Sequence, residues 1–157
     1  HTRYGTVTGV QTCALPILRS QEAKERLLPA LSPGNVHQVK SAAVTVIIAF
    51  DSHFYEHLPK LYPAVDAKPI FEGKPAVTEV AALRNSSLQG AYLIMAARSL
   101  GWDCGAMSGF DANKVNAEFF PDGRYKANFL LNIGVADPVG IYPRGPRLDY
   151  QEVTQIL

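Results

Sequence analysis

The chain is poor in the residues that mark several common classes of protein. It contains only two cysteines, Cys13 and Cys104, which lie far apart and form no C-x-x-C pair. That spacing supplies neither a disulfide framework nor a zinc site. Because a chain without a disulfide framework is typical of reducing compartments, a cytoplasmic protein is the default expectation.

An excess of charge of either sign is also lacking. The chain has 15 basic and 14 acidic residues, with no basic stripe and no lysine-rich face. We therefore expect neither a nucleic-acid partner nor a membrane-surface partner. The longest apolar runs, around Ala42–Phe50 and Ala91–Ala97, are too short to cross a bilayer. What is present is a chain of 157 residues with 47% hydrophobic content, which favours one domain with a buried core.

Residues 1–17 look foreign to the rest of the chain. They read HTRYGTVTGVQTCALPI, do not begin with Met, and match from Val7 onward the translation of a common sequencing adapter. We interpret residues 1–17 as a non-native adapter translation fused to a truncated gene, and residues 18–157 as the authentic part. The alternative is a genuine N-terminal strand, because Val7, Val10 and Leu15 are apolar.

Strands and helices are predicted to alternate along the authentic part. The β-branched run Ala43–Phe50 is apolar on nearly every residue, which is typical of a central strand covered on both faces. Shorter strands are predicted at Trp102–Met107 and Asn128–Gly134. A long helix is predicted from an N-cap at Thr78 to a stop at Gly101. Helices on both faces of a sheet give a layered α+β (α/β) domain.

Local signals predict further elements. Ser20 is a candidate N-cap for a first helix, and Pro33–Asn35 is predicted to end that helix in a turn. A helix is predicted through His53–Leu61. Asp111 is a candidate N-cap for a later helix, and Asp149 opens the spacing of a capping box before a final helix.

The long predicted helix carries many small side chains, which would permit another helix to approach closely. It also carries a polar patch of Asn85, Ser86 and Ser87. These three side chains could face a ligand or a partner subunit, but hydrogen bonds between helices explain them equally well. We leave the patch unassigned.

One motif suggests a metal. The segment from His53 to His57 matches H-x-x-E-H, the inverted zinc-protease pattern. On a helix its two histidines would share one face, but no clear third ligand follows. We therefore interpret the segment as an exposed or half-buried helix face and expect no metal.

Two further features suggest a nucleophile. The segment from Gly105 to Gly109 resembles the G-x-S-x-G elbow of hydrolases, but Met107 stands at its centre and no histidine follows His57. Cys104 is a lone thiol at a predicted strand end, where a buried core cysteine is favoured over a nucleophile. No residue is assigned to a catalytic step.

A long segment does carry a recognisable pattern. Residues 84–111, RNSSLQGAYLIMAARSLGWDCGAMSGFD, and the later YPRGPRL closely resemble the flavin-dependent nitroreductase superfamily. Within it, the chain is most similar to the malonic semialdehyde reductase subfamily of bacterial pyrimidine degradation. The resemblance implies the C-terminal portion of a nitroreductase-like fold, with a central sheet flanked by helices. It also implies an FMN-dependent NAD(P)H oxidoreductase that forms a homodimer.

The resemblance also implies which residues hold the cofactor. Met107, Ser108 and Gly109 would lie against the isoalloxazine ring, with Ser108 and Gly109 nearest its N5 edge. Arg144 and Arg147 would bind the FMN phosphate, for which paired guanidinium groups are suited. Family members often carry an acidic residue where this chain has Ser108.

The resemblance finally implies that part of the cofactor site is missing. Family members carry an N-terminal basic segment and a Pro-Ser/Thr-Ser-x-Asn loop, and neither occurs between Leu18 and Ala43. We expect this chain to bind FMN poorly or not at all. The implied reaction of the complete gene product is reduction of malonic semialdehyde to 3-hydroxypropionate. The alternatives are a nitro-aromatic or enone reductase of the same superfamily, or an inert fragment without cofactor.

Overall fold

The computed structural model of the chain describes residues 13–157. Its strands are β1 (Cys13–Ala14), β2 (Ile17–Leu18), β3 (Val44–Asp51), β4 (Asp103–Met107) and β5 (Tyr125–Gly134). Its α-helices are α1 (Gln21–Leu27), α2 (Pro33–Ser41), α3 (Leu58–Leu61), α4 (Pro75–Ser99), α5 (Ala112–Phe119) and α6 (Tyr150–Val153). Short 3-10 helices occur at Leu28–Ala30, Phe54–His57, Lys68–Ile70 and Pro138–Gly140.

The strands form one antiparallel sheet in the order β1-β3-β5-β4, with β2 also pairing with β3. Strand β3 is central and its residues alternate between two cores. Ile47 packs with Leu130 against α1, α2 and α5, whereas Ile48 packs with Leu131 against α4. Each such side chain contributes about 1.5–3 kcal/mol when fully buried. The predictions of a doubly covered strand and of a layered α+β domain are confirmed.

The long helix α4 differs from its prediction in two respects. It begins at Pro75, three residues before Thr78, because proline at the first helical position already has a helical φ. The Thr78 hydroxyl instead donates to the backbone oxygens of Phe71 and Lys74. Among the small residues of α4, Gly90 lets the sheet approach closely, since it faces Phe129 and Ile48. The end at Gly101 is confirmed by its φ of +84°.

Proline also explains two wrong boundaries elsewhere. Pro33–Asn35 does not end a helix in a turn, because Pro33 is the first residue of α2. The helix predicted through His53–Leu61 is divided into a 3-10 helix and α3. Pro59 cannot donate a backbone hydrogen bond to Tyr55, which interrupts a continuous α-helix. The N-caps at Ser20 and Asp111 are confirmed, because their side-chain oxygens accept hydrogen bonds from the backbone N–H groups of Ala23 and Asn113.

Strand β5 contains a bulge. Ile48 of β3 pairs with Phe129, but the next residue, Ala49, pairs with Ala127, so Asn128 is an extra residue in β5. A bulge turns neighbouring side chains toward the same face of a sheet. Both Asn128 and Phe129 accordingly contact α4.

The first described residues pair with the outer edge of β3, where Cys13 lies opposite Phe50 and Ile17 lies opposite Val46. This pairing uses backbone groups, which every sequence supplies. It therefore does not decide whether the segment is native or an adapter translation. Residues 1–12, which include most of the predicted adapter translation, lie outside the described residues. The assignment of residues 1–17 to an adapter therefore stays a prediction.

The chain ends in an extended tail, residues 135–157, that carries α6. Most of its side chains are exposed, including Val139 and Tyr142. The capping box of Asp149 and Glu152 is formed, but α6 ends at Val153. Between residues 13 and 157, no helix combines the length and the apolarity that a membrane crossing requires.

Candidate functional site

The turn after β4 is fixed from one side by α2. The Gly109 carbonyl oxygen accepts hydrogen bonds from the Ser32 backbone N–H and from Asn35 Nδ2, each at 2.9 Å. A Cβ on Gly109 would lie 2.6 Å from Asn35 Nδ2 and 3.3 Å from Ser32 Oγ. Glycine is therefore required here by the close approach of α2.

The other side of the turn presents unused hydrogen-bond donors. Ser108 uses its carbonyl oxygen to accept from the Phe110 N–H at 2.9 Å. The backbone N–H groups of Ser108 and Gly109 themselves have no acceptor within residues 13–157. Adjacent backbone N–H groups of this kind can bind an electronegative atom of a ligand.

A cavity of about 350 Å³ opens beside Ser108, between α4 and the β4–β5 edge of the sheet. Helix α4, strand β4 with the turn after it, and strand β5 each supply part of the lining. The lining residues are Ser87, Ala91, Ile94, Ala106, Met107, Ser108, Asn128 and Phe129. This lining is apolar except for two hydroxyl groups, one amide and the backbone groups of the turn.

The polar patch of α4 contributes to this cavity. Asn128 Nδ2 donates to Ser87 Oγ at 3.0 Å and lies 3.4 Å from Ser86 Oγ. Ser87 Oγ in turn donates to the Leu83 carbonyl oxygen at 2.9 Å. Two of the three residues left unassigned from the sequence therefore hold the bulge residue Asn128 in place. Asn128 itself was missed, since the sequence gives no signal of a bulge at this position.

The two arginines expected at the phosphate lie apart from the cavity lining. Arg144 and Arg147 are exposed residues of the tail. Arg147 Nη1 donates to the carbonyl oxygens of Gly145 and Pro146, at 2.9 and 3.1 Å. Within residues 13–157 of a single chain, the turn and the arginine pair are therefore not assembled into one site.

The H-x-x-E-H segment takes part in an ion-pair network. Arg124 binds the buried Asp51 carboxylate through Nε and Nη2, at 3.1 and 2.9 Å, and binds Glu56 at 2.8 Å. The His57 ring nitrogen Nε2 lies 3.0 Å from Arg124 Nη2. The hydrogen bond with Asp51, followed by the charges of both carboxylates, raises the pKa of Arg124. Through Arg124, this network holds the 3-10 helix Phe54–His57 against the end of β3.

Neither cysteine lies in a reactive setting. Both thiols are free and half-buried. Cys104 Sγ lies 3.9 Å from the Ile94 carbonyl oxygen, in the core between the sheet and α4. Burial raises the pKa of the Cys13 thiol, which disfavours the nucleophilic thiolate.

Similar sequences are found in several bacteria. A protein of Polynucleobacter asymbioticus, provisionally named an NADH dehydrogenase/NAD(P)H nitroreductase, is 59% identical over 140 residues. This alignment covers 89% of the chain and 71% of that protein. A Ralstonia nicotianae protein with the same provisional name is 50% identical, over 100% of the chain and 84% of its own length.

The chain belongs to the nitroreductase family. Identity of this level over most of both proteins decides the assignment. No protein-family model matches the chain. The resemblance seen in residues 84–111 lies on the C-terminal part of α4, on β4 and on the turn after β4.

Solved structures show the same fold at lower identity. A provisionally named NAD(P)H:FMN oxidoreductase of Staphylococcus epidermidis superposes with a TM-score of 0.83, at 21% identity over 94% of the chain and 76% of that protein. A nitroreductase of Exiguobacterium sibiricum, solved in complex with FMN, has a TM-score of 0.81, at 22% identity over 94% and 78% of the two chains. An enone reductase of gut-bacterial fatty acid saturation has a TM-score of 0.80 at 26% identity, over 94% and 78%. The nitroreductase-like fold expected from the sequence is confirmed.

Proposed function

We propose that this chain is the main part of an FMN-dependent NAD(P)H oxidoreductase. The observation that carries the proposal is the pair of unused N–H donors on Ser108 and Gly109, in a turn whose Ser108 borders a cavity with both polar and apolar walls. FMN, when bound, supplies the redox chemistry by accepting a hydride from NAD(P)H and passing it to a substrate. A flat ring system with electronegative atoms on its edge fits a cavity that offers N–H donors at the turn and apolar side chains such as Met107 and Phe129 beside them.

The chain's own residues would bind and orient the ring. The Ser108 and Gly109 N–H groups would donate to N5 of the oxidised ring, the electronegative atom that takes up the hydride. Met107, Ala106 and Phe129 would exclude water from the ring.

The phosphate would be bound by Arg144 and Arg147. Both guanidinium groups are exposed, and that of Arg147 donates hydrogen bonds only to carbonyl oxygens of its own loop. Exposed guanidinium groups can exchange such contacts for the bidentate, charge-assisted bonds that a phosphate offers. The tail that carries them would have to be ordered beside the cavity of this chain or of a second copy.

A homodimer follows from the same reasoning. Helix α4 exposes large apolar side chains along one face, among them Val80, Leu83, Tyr92 and Met95. The tail exposes further ones. Exposed apolar patches of this extent mark interaction surfaces. A second copy of the chain that covers α4 and the tail would remove both surfaces from water. It would also bring Arg144 and Arg147 of one chain close to the Ser108 turn of the other.

We further propose that an N-terminal segment absent from residues 18–157 completes the cofactor site. On this proposal residues 1–17 stand in place of the native segment, and the chain alone binds FMN weakly. The substrate of the completed protein is malonic semialdehyde, whose aldehyde carbon would take the hydride to give 3-hydroxypropionate. This choice rests on the subfamily resemblance of residues 84–111 and YPRGPRL.

An extended chain tests these proposals. In it, residues 1–17 are replaced by the segment that precedes the position of Leu18 in the Polynucleobacter relative. The proposal expects NAD(P)H oxidation that depends on added FMN and is faster with malonic semialdehyde than with a nitro-aromatic or an enone. Faster turnover of a nitro-aromatic or enone would replace the substrate assignment. A folded extended chain that oxidises no NAD(P)H would leave the inert-fragment alternative.

A further inference from the structure

We propose that Asn128 is a specificity-determining residue of the cavity beside Ser108. Its side-chain oxygen would accept a hydrogen bond from an N–H group on the edge of a flat heteroaromatic ligand. This inference rests on the proposed function, because it concerns the same cavity. Two ligands of that function carry such a group: the N3–H of a flavin and the carboxamide of a nicotinamide.

The orientation of the Asn128 amide follows from its hydrogen bonds. Ser87 Oγ gives its only hydrogen to the Leu83 carbonyl oxygen at 2.9 Å, as a helical serine commonly does. Toward Asn128, Ser87 can therefore act only as an acceptor. The amide group 3.0 Å from Ser87 Oγ must then be the NH₂ donor, Nδ2. The amide oxygen Oδ1 consequently points away from α4.

That oxygen is left for a ligand. Nδ2 uses its hydrogens toward Ser87 and Ser86, whereas Oδ1 has no donor among residues 13–157. Asn128 lines the cavity together with Met107 and Ser108, and it is half-buried. An acceptor that is partly withdrawn from water gains from any ligand donor that reaches it.

The bulge explains why an amide stands at this place. Without the extra residue, successive side chains of β5 would point to opposite faces of the sheet. With it, both Asn128 and Phe129 point toward α4, so a polar group and an apolar ring lie side by side in one cavity lining. Phe129 can cover the face of a flat ring while Asn128 reads its edge.

Paired ligands that differ in this one group test the inference on the chain itself. FMN is compared with N3-methyl-FMN, and NADP⁺ with its 3-acetylpyridine analogue, which lacks the amide hydrogens. Ligand-observed NMR measures dissociation constants up to about the millimolar range, which suits the weak binding expected of this chain. The flavin pair and the nucleotide pair identify which of the two ligands donates to Asn128.

Asn128→Leu removes the acceptor and keeps a side chain of similar size. We expect the chain to prefer the N–H ligand in one of the two pairs, and the variant to reduce that preference by about fivefold, the value of one neutral hydrogen bond. The methyl group of N3-methyl-FMN imposes the same steric penalty on the unsubstituted chain and on Asn128→Leu. The change in preference between the two proteins therefore measures the hydrogen bond alone. Ser87→Ala, which frees the amide to rotate, should reduce the preference by a smaller factor. The exposed Asn113→Leu is the matched control and should leave both ratios unchanged.

The outcomes separate this inference from the proposed function. Equal affinities within both pairs, or a preference that Asn128→Leu and Ser87→Ala leave intact, would overturn the role of Asn128 alone. Failure of the folded chain to bind any of the four ligands would overturn this inference, whereas the proposed function is decided separately by FMN-dependent NAD(P)H oxidation in the extended chain. If Asn128→Leu does not fold, the comparison of the unsubstituted chain with Ser87→Ala decides.

Discussion

The ring of Phe129 in β5 packs directly on Gly90 in α4. A Cβ on Gly90 would lie 2.8 Å from Phe129 Cε1 and 3.3 Å from Ile48 Cγ2. Helix and sheet therefore meet at this point without any side chain from the helix. The contact sets the separation between α4 and β5, and with it the width of the cavity that begins at Ser87 and Asn128.

Gly90→Ala should therefore destabilise the fold although alanine is the better helix former. The added methyl group forces Phe129 out of its position, at a cost of about 1–3 kcal/mol for overpacking. Urea unfolding monitored by circular dichroism measures the change in free energy. Gly34→Ala is the control, because a Cβ there meets no atom within 4 Å and alanine favours the helix. A variant Gly90→Ala as stable as the Gly34→Ala protein would contradict the close packing.

Arg124 should be the most important charged residue for stability. Its partner Asp51 has only 4% of its side chain exposed, so Arg124→Met leaves a buried carboxylate without its arginine and with the His57 ring, 3.5 Å away, beside it. We expect a loss of about 3 kcal/mol, at the low end for a broken buried pair because Arg124 is itself 29% exposed. Glu56→Gln removes a partner that is 48% exposed and should cost less than about 1 kcal/mol. Equal losses in the two variants, measured by thermal and urea unfolding, would show that burial of Asp51 is not decisive.

Arg147→Ala should weaken FMN binding in the extended chain. Loss of one hydrogen-bonded cation beside a phosphate costs about 1.5–3 kcal/mol, or roughly 10-fold to 150-fold in dissociation constant. Quenching of FMN fluorescence on titration measures the constant. Arg98→Ala, an exposed arginine at the end of α4, is the control. An unchanged constant for Arg147→Ala would remove this residue from the site.

Tyr92→Glu should prevent self-association. Tyr92 is 63% exposed on the C-terminal part of α4, where a dimer partner would cover it. A buried, unpaired carboxylate at that interface is costly, so the variant should be a monomer. Light scattering after size-exclusion chromatography gives the mass. Lys114→Glu, on the exposed side of α5, should leave the mass of the unsubstituted chain unchanged. A dimeric Tyr92→Glu protein would place the interface elsewhere.

The core of the fold could be predicted from the sequence because its signals are local. The apolar run of β3 predicts two covered faces, and the N-caps at Ser20 and Asp111 carry their own acceptor. Boundaries near proline were harder, since Pro33 and Pro75 begin helices, whereas a turn was predicted at Pro33 and a helix start at Thr78. Proline gives no backbone hydrogen bond in either case, and only the packing decides which of the two structures forms.

The candidate site was predicted in part. The turn at Met107, Ser108 and Gly109 follows from the pattern of residues 84–111, and the structure places it beside a cavity. Asn128 could not be found in this way, because its position depends on the pairing register of β3 with β5, which links residues about 80 apart. The contribution of Arg144 and Arg147 stays a prediction, since they lie on a tail outside the cavity lining.

Retention of FMN by the extended chain tests the central proposal most directly. The protein is incubated with FMN, desalted and examined for absorbance near 450 nm, about where oxidised flavins absorb. The proposal predicts that the extended chain is a yellow protein that holds about one flavin per chain. Its colour bleaches on anaerobic addition of NAD(P)H. The unextended chain, by contrast, loses its colour on desalting. A folded extended chain that emerges colourless would contradict it.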